Sequence, residues 1–491
     1  MCMTTSSGKL QDHLAPNAKQ QVFFFRYNIP IPRFEFFLAF FLASLPFQMS
    51  LWQLFINLSQ KLYPPTNPFP WCYIRIILVF TTDFLFVAAL LAMLFFNRIP
   101  WRRCFWHGPA KYLLFLTIIS LLSLFFSKAP SFPLQYVKLF QHSMPLLLFC
   151  LIPYCFKATS FRPFLRGVFI ALFTVGIIQS IIAIIQYFTQ NSIGLSFLGE
   201  ESWSSAFEST RGELSIFPSK MVYPFIKRAA GTAMHSNTLG SILFFTIMVS
   251  YGLYLEFRNK KACSLVLIGI YLQITALFLS FSRSGLTAAF IGTVVWLWGT
   301  RRQLKQSSSD EGPKKVLMPL VLTVVISIIS CIAIFHPAFT ERGFINENDT
   351  VQGSNKERFV NFRVSLGMIA DKPLLGVGFD SYQIVKSLYN PTPEPLDKLA
   401  PVHNSYLLIA AETGLLGLAA YLFFILSVLI RALKAPFNGL HASLFISFLG
   451  FLYLNCLDYG FYLMNNLTYF FFAVAALLVT HSMLSKKENA Y

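Results

Sequence analysis

The sequence predicts an all-α polytopic membrane protein of about twelve transmembrane helices, with two long polar segments on one side of the bilayer. Three observations carry this. Hydrophobic residues make up 55% of the 491 and charged residues only 12%, about half the charge of a soluble domain. Apolar stretches long enough to cross a hydrocarbon core of about 30 Å recur along the chain. Basic residues gather in short clusters between those stretches. A soluble single-domain enzyme and a disordered chain are both excluded.

The first 33 residues are polar, with Lys9, Lys19, Arg26 and Arg33. The apolar stretch after them outruns a signal-peptide core, so it reads as a retained first helix following a cytoplasmic tail. Candidate spans then lie near 35–55, 75–96, 110–127, 139–156 and 166–188, so that 34–189 holds helices one to five. A polar and aromatic segment follows at 190–235. Spans six to nine fall near 236–256, 264–281, 284–300 and 316–335, within 236–335.

The second long segment is 336–403, and 404–485 holds the last three spans near 405–430, 438–458 and 466–485. A short tail, 486–491, ends the chain. Within 336–403, Phe359, Phe362, Leu366 and Ile369 recur at helical spacing, which predicts an amphipathic helix on the membrane surface. Pro391, Pro393 and Pro395 predict a loop after it.

Charge tests this arrangement. With both termini cytoplasmic, most of the 39 Lys and Arg fall in inner segments. The short outer loops hold only Lys61, Arg75, Lys128, Lys138 and Arg283. That asymmetry is the positive-inside pattern. The formal net charge of +18 therefore reports orientation, and no nucleic-acid partner is expected. The eight cysteines show no CxxC and no zinc spacing, and most read as small buried hydrophobes.

Four polar clusters fall at the outer face. Arg228-Ala-Ala-Gly-Thr-Ala-Met-His-Ser-Asn237 enters the sixth span, where Ser236 or Asn237 suits a helix cap and the free N–H groups favour an anion. Ser282-Arg283-Ser284-Gly285 forms the whole turn between spans seven and eight. It holds an arginine that neither retreats far nor deprotonates. Arg358 and Arg363 stand on the amphipathic segment, where a solvated or headgroup-facing role fits both. The nearby Pro373-Leu-Leu-Gly-Val-Gly-Phe-Asp-Ser-Tyr382 carries two glycines without the phosphate-loop pattern.

The fourth cluster is His403-Asn404-Ser-Tyr406, followed by Ala411-Glu-Thr-Gly414. His403 falls where the tenth span begins, and a helix N-terminus disfavours imidazolium, so this side chain suits proton acceptance. Glu412 sits about two turns inside the span, where a carboxylate is costly unless paired. Its expected role is structural, with a polar partner on a neighbouring helix. Asn346-Glu-Asn-Asp349 reads as a solvated loop rather than a ligand set.

These strings, in this order, resemble the bacterial O-antigen ligase and O-antigen polymerase superfamily of polyprenyl-dependent glycosyltransferases. The resemblance spans roughly 160–430 and rests on Arg-Ala-Ala-Gly…Ser-Asn at 228–237, Ser-Arg-Ser-Gly at 282–285 and Pro-Leu-Leu-Gly-Val-Gly at 373–378. His-Asn-Ser-Tyr-Leu and Glu-Thr-Gly-Leu-Leu-Gly at 403–417 complete it. The chain departs from the family's usual Pro-Asn at Ser236-Asn237.

The resemblance implies a GT-C-like fold in the bacterial inner membrane with the two long segments periplasmic. It implies transfer of a glycan from undecaprenyl diphosphate to an acceptor hydroxyl, without metal or cofactor. The partners it implies are the lipid-linked donor, membrane lipids, and lipid A–core or another hydroxyl acceptor. Arg228 and Arg283 would hold the diphosphate with Arg358 and Arg363, Arg283 also acting in catalysis. His403 would orient or deprotonate the acceptor, or else bind phosphate. Asn237, Asn404 and Glu412 would support the site.

Ligation onto lipid A–core is the leading reading. O-antigen polymerase, protein O-oligosaccharyltransferase and a carrier-binding protein without catalysis are the alternatives on the same scaffold. A secondary transporter is the alternative from another class, with Asp83 and Glu412 as its midplane candidates. It would predict internal repeats, and the sequence has none.

Overall fold

In a computed structural model the described residues are 21–23, 30–45, 81–97, 101–106, 108–127, 133–200, 209–210, 226–257, 259–306, 312–343, 349–390, 401–463 and 465–488. The N-terminal tail before 21, the outer half of the first expected span, most of 201–225, Asn346–Asn348 and the proline-rich 391–400 lie outside them. So does the side chain of Asp83.

The chain folds as helices α1 (Arg33–Ser44), α2 (Thr81–Phe96), α3 (Trp101–Trp106), α4 (Ala110–Phe125), α5 (Pro133–Cys155) and α6 (Ala158–Thr189). Next come α7 (Ser236–Glu256), α8 (Lys260–Leu279), α9 (Arg283–Gln306), α10 (Pro313–Gly343) and α11 (Asp349–Asp371). The set closes with α12 (Tyr382–Tyr389), α13 (Ser405–Ala432), α14 (Gly439–Asn455), α15 (Gly460–Leu463) and α16 (Asn465–Glu488). Two minute antiparallel ladders, β1 (Gln21–Phe23) with β2 (Pro30–Pro32) and β3 (Ser209–Thr210) with β4 (Ile226–Lys227), are the strands among the described residues.

Six helices are long and apolar enough to span a bilayer: Thr159–Thr189, Ser236–Glu256, Lys260–Leu279, Pro313–Phe335, Ser405–Ala432 and Leu467–Ser485. Shorter apolar helices run over Phe34–Ser44, Ala110–Phe125 and Gly439–Asn455. The protein is an all-α polytopic membrane protein.

Helix α7 is the hub. It is apolar all round, as a helix enclosed by others must be, and nearly every residue of it is buried. It packs against α6, α8, α9 and α14. Small residues allow the close approaches: Gly252 of α7 lies against Ser443 and Gly439, and Phe244 of α7 lies over Gly450. Polar side chains add cross-links where hydrocarbon offers no other partner. Trp296 Nε1 of α9 donates to Ser443 Oγ of α14 at 3.1 Å, and the Tyr251 and Thr293 hydroxyls meet at 3.0 Å. By contrast α10 exposes Leu322, Ile326 and Ile329, the pattern of a lipid-facing helix.

Candidate functional site

The segment entering α7 is held from three sides. Arg228 is buried, 7% exposed. Its Nε donates to the Ser280 carbonyl at 2.9 Å and its Nη2 to Asn237 Oδ1 at 2.7 Å, so it ties the end of α8 to the first turn of α7. Gln186 of α6 accepts from Gly231 N at 2.8 Å and donates to Gly231 O at 3.0 Å. Gln179 of α6 accepts from Thr232 N at 3.1 Å and donates to the Thr232 hydroxyl at 2.6 Å.

Met234 is in the left-handed region, φ 60°, where a side chain other than glycine carries strain. The turn it makes brings His235 to the cap of α7. Sequence favours Ser236 or Asn237 there, but His235 Nδ1 accepts from Asn237 N at 3.2 Å and α7 begins at Ser236. Asn237 is released from capping because its carboxamide oxygen serves Arg228.

The turn from α8 to α9 is equally constrained. Phe281 is left-handed, φ 48°, and Ser282 Oγ accepts from Gly285 N at 3.3 Å. Arg283 starts α9 and is exposed; its carbonyl accepts from the Thr287 hydroxyl at 2.9 Å, and its guanidinium makes no hydrogen bond or ion pair to another described residue. Gly285 fixes its place: a Cβ there would stand 3.0 Å from the backbone of Gly240. The first turns of α7 and α9 therefore touch, and Arg283 is set beside the helix start that His235 caps. Thr287, one turn on, meets the Tyr453 hydroxyl of α14 at 2.8 Å.

The third component begins with Asn404, whose Oδ1 caps α13 by accepting from Leu407 N at 2.9 Å. Its Nδ2 donates to the Cys456 carbonyl at 3.1 Å, and Ser405 Oγ donates to the Asp458 carbonyl at 2.9 Å. These bonds dock the start of α13 on the turn between α14 and α15. They bring His403 Nδ1 within 3.6 Å of Asp458 Oδ1 and its ring to 5.0 Å from that of Tyr459.

Burial pushes the Asp458 carboxyl up, but His403, the charge of His235 and the Tyr459 N–H together outweigh it. The group stays below the usual carboxylate range. Helices α7 and α14 run antiparallel, with Gly252 opposite Ser443 and Phe245 opposite Phe451. Their register levels His235 with the Cys456–Tyr459 turn.

A fourth assembly supports the third. Gly414 breaks α13 at φ 71°, ψ −178°. The backbone groups freed there bond to the Pro373–Gly378 segment: Leu415 N donates to Pro373 O at 2.7 Å, Val377 N to Ala411 O at 2.9 Å and Gly378 N to Glu412 O at 3.1 Å. The two glycine-bearing strings are one structural joint. Glu412, fully enclosed, accepts from Tyr382 N and from the Tyr462 hydroxyl, each at 3.2 Å.

Arg358 and Arg363 stand on the exposed face of α11, Arg363 over the Phe359 ring at 4.7 Å. Phe359, Phe362 and Leu366 share that outward side, while Val360, Asn361, Val364, Ser365 and Met368 face the protein. The described contacts of the two arginines do not join them to Arg228, Arg283 or His403. Among the described residues no group of three His, Cys, Asp or Glu side chains is placed to hold a metal ion.

The structure therefore assembles Arg228 and Asn237, Arg283, and His403 with Asn404. It adds His235 and Asp458, which the sequence reading did not select. His235 was visible inside a selected string, but nothing distinguished it from its neighbours. Asp458, an acid at the edge of an apolar stretch, was the available signal for the other.

Residues 268–422 match the family model described as O-Antigen ligase, which supports the resemblance to the O-antigen ligase superfamily. Arg283, His403, Asn404 and Glu412 lie inside the match, and Arg228, His235, Asn237 and Asp458 outside it. Compared with curated proteins, the sequence matches none.

Proposed function

We propose that the chain is an O-antigen ligase-like glycosyltransferase that moves an oligosaccharide from undecaprenyl diphosphate to a hydroxyl of lipid A–core, at the periplasmic face of the bacterial inner membrane. The observation that carries this is the His403–Asp458 pair (3.6 Å) at the end of α14, against which α9 packs through Thr287 and Tyr453 with the exposed cation Arg283 one turn earlier. In this reading Asp458, 3.6 Å from Nδ1, draws the proton to that nitrogen, and Nε2 keeps a lone pair for the acceptor hydroxyl.

In the transfer, His403 takes the acceptor proton as the acceptor oxygen bonds to the anomeric carbon. The bond from that carbon to the phosphate oxygen breaks, and the electron pair leaves with undecaprenyl diphosphate. Arg283 and the N-terminal N–H groups of α7 and α9 face the growing negative charge, which supplies stabilisation without metal. Arg228 braces the two helix starts. Its contribution is to hold Asn237 and the α8 end in place and to raise the local positive potential. Arg358 and Arg363 serve the approach of anionic headgroups from the membrane side.

The test is transfer by purified protein in proteoliposomes, with an undecaprenyl-diphosphate oligosaccharide as donor, lipid A–core as acceptor and products identified by mass. Core bearing the glycan supports ligation. A lengthened carrier-linked glycan assigns the same site to a polymerase. A labelled substrate crossing the vesicle wall, with no glycosidic product, replaces the proposal with transport. Arg283→Ala is expected to abolish transfer with insertion intact. His403→Ala is expected to abolish transfer with carrier binding largely kept, and equal loss of binding would make His403 a phosphate ligand.

A further inference from the structure

At the end of the bundle opposite His403, α3, α5, α13 and α16 surround a cavity of about 120 Å³, several times the room that one water needs. Its wall is mostly apolar, with Phe149 of α5 and Val479 and Met483 of α16. Arg431, in the last turn of α13, is the one charged side chain among the described residues that line it.

The fold holds Arg431 in this place. Its carbonyl accepts from the Ser482 hydroxyl of α16 at 2.8 Å, and its guanidinium lies over Gly108, in the turn before α4. Gly108 is left-handed, φ 64°, and a Cβ there would collide with the guanidinium, so glycine meets both demands. The guanidinium makes no hydrogen bond or ion pair to another described residue. Half-buried and unable to deprotonate, it calls for an acceptor. Lys434, one turn on, is the ordinary basic helix end: it is exposed and outside the cavity.

The surroundings are those of a headgroup layer. Trp106 of α3 is 61% exposed, and amphipathic rings of that kind gather at membrane interfaces. Arg102 and Arg103 are exposed on the same short helix. The Tyr154 hydroxyl, donating to the Arg103 carbonyl at 2.9 Å, fastens α3 to α5. From Lys111 in the first turn of α4, the exposed Phe115, Ile118 and Leu122 follow at helical spacing and form one outward stripe. Ala110, next to Lys111, lines the cavity. An acyl chain lying on that stripe therefore brings its head end to the cavity. A free inorganic anion fits less well, because it would give up its water to Phe149, Val479 and Met483 for a single compensating charge. A phosphodiester carried on glycerol and acyl chains meets both the cation and the apolar wall.

We infer that this cavity is a binding site for an anionic phospholipid, its phosphodiester held by Arg431 and an acyl chain laid along Phe115, Ile118 and Leu122 of α4. The site lies at the other helix ends from His403 and Arg283, so it stands or falls independently of the transferase reading.

The experiment uses the full chain, delipidated in detergent, with phosphatidylglycerol as the probe and native mass spectrometry as the readout. Wild type is expected to retain phosphatidylglycerol and to release diacylglycerol, which has the same chains without the phosphate. Arg431→Gln removes a charge-assisted contact and is expected to weaken phosphatidylglycerol about 10- to 100-fold. Lys434→Gln changes the charge equally, and is expected to weaken it about fivefold or less, the scale of general surface attraction. Ala110→Leu keeps both cations and fills the cavity, and its loss is expected to match that of Arg431→Gln.

Equal losses in Arg431→Gln and Lys434→Gln would reduce the effect to surface charge and overturn the inference. Diacylglycerol held as tightly as phosphatidylglycerol would do the same, as would wild-type affinity in a folded Ala110→Leu. Inorganic phosphate tests the source of the anion. In excess it is expected to leave the lipid bound, and displacement of the lipid would overturn the phospholipid as occupant in favour of a free anion.

Discussion

In the proposed transfer, Asp458 acts through another side chain. Asp458→Asn preserves volume, but a carboxamide can present its NH2 to His403 Nδ1 and so favour the wrong tautomer. Transfer is expected to fall about 10²-fold in kcat, the scale of a lost general base, with donor KM little changed. The same substitution has a stability signature. The folded-state carboxyl is held below its usual range, so the unfolded chain takes up its proton first as pH falls. Asp458's contribution to folding is complete above about pH 4 and is withdrawn as the pH drops through the folded value. Asp458→Asn should therefore lower Tm at pH 7 and flatten its acid decline, measured by thermal unfolding in detergent from pH 7 to 3. His403 was legible in the sequence because a polar string interrupts an apolar pattern at a helix start. Asp458 was not, since its importance comes from the docking of Asn404 on Cys456 and Ser405 on Asp458, contacts between helices that no local pattern records.

At the scale of elements, the α13 break links the outer segment to the histidine. The half of α13 that begins below His403 ends at Gly414, and its open carbonyls are satisfied by the turn after α11. Gly414 has φ 71°, and a Cβ there would collide with the Leu374 carbonyl. Gly414→Ala must displace that turn. It is expected to cost about 1–3 kcal/mol from backbone strain alone, read as a lower Tm, and to reduce transfer further than Tm accounts for because the His403 cap moves with the joint. Unchanged Tm and turnover would show that the joint is slack. Sequence reading found both strings, 373–378 and 411–417, and rightly kept the first from being a phosphate loop. Their pairing was hidden, because a backbone exchange across a helix break depends on carbonyls and N–H groups that every residue has. The tight turn at Ser282–Gly285 was the easier case: two apolar stretches separated by four small or charged residues leave little choice but a hairpin.

For the whole molecule, hydropathy made the membrane helices legible, and their lateral order was not. That α7 is enclosed by α6, α8, α9 and α14 follows from glycine contacts such as Gly240–Gly285, which hydropathy cannot see. Orientation is a separate matter, carried by charge. The basic clusters Arg301-Arg302, Lys314-Lys315 and Arg431 with Lys434 lie at the opposite helix ends from Arg283 and His403, so the positive-inside pattern predicts a site on the outer side. Cys456 offers a direct reading. It is exposed, lies in the turn whose carbonyl holds Asn404, and is two residues from Asp458. In a chain whose other seven cysteines are replaced, a membrane-impermeant maleimide added to cells with a permeabilised outer membrane is expected to label Cys456 without inner-membrane disruption. Labelling should fall when undecaprenyl diphosphate occupies the cluster. Labelling only after the inner membrane is opened would put His403, Arg283 and His235 on the cytoplasmic side. Periplasmic transfer would then be untenable even if the purified protein made the product.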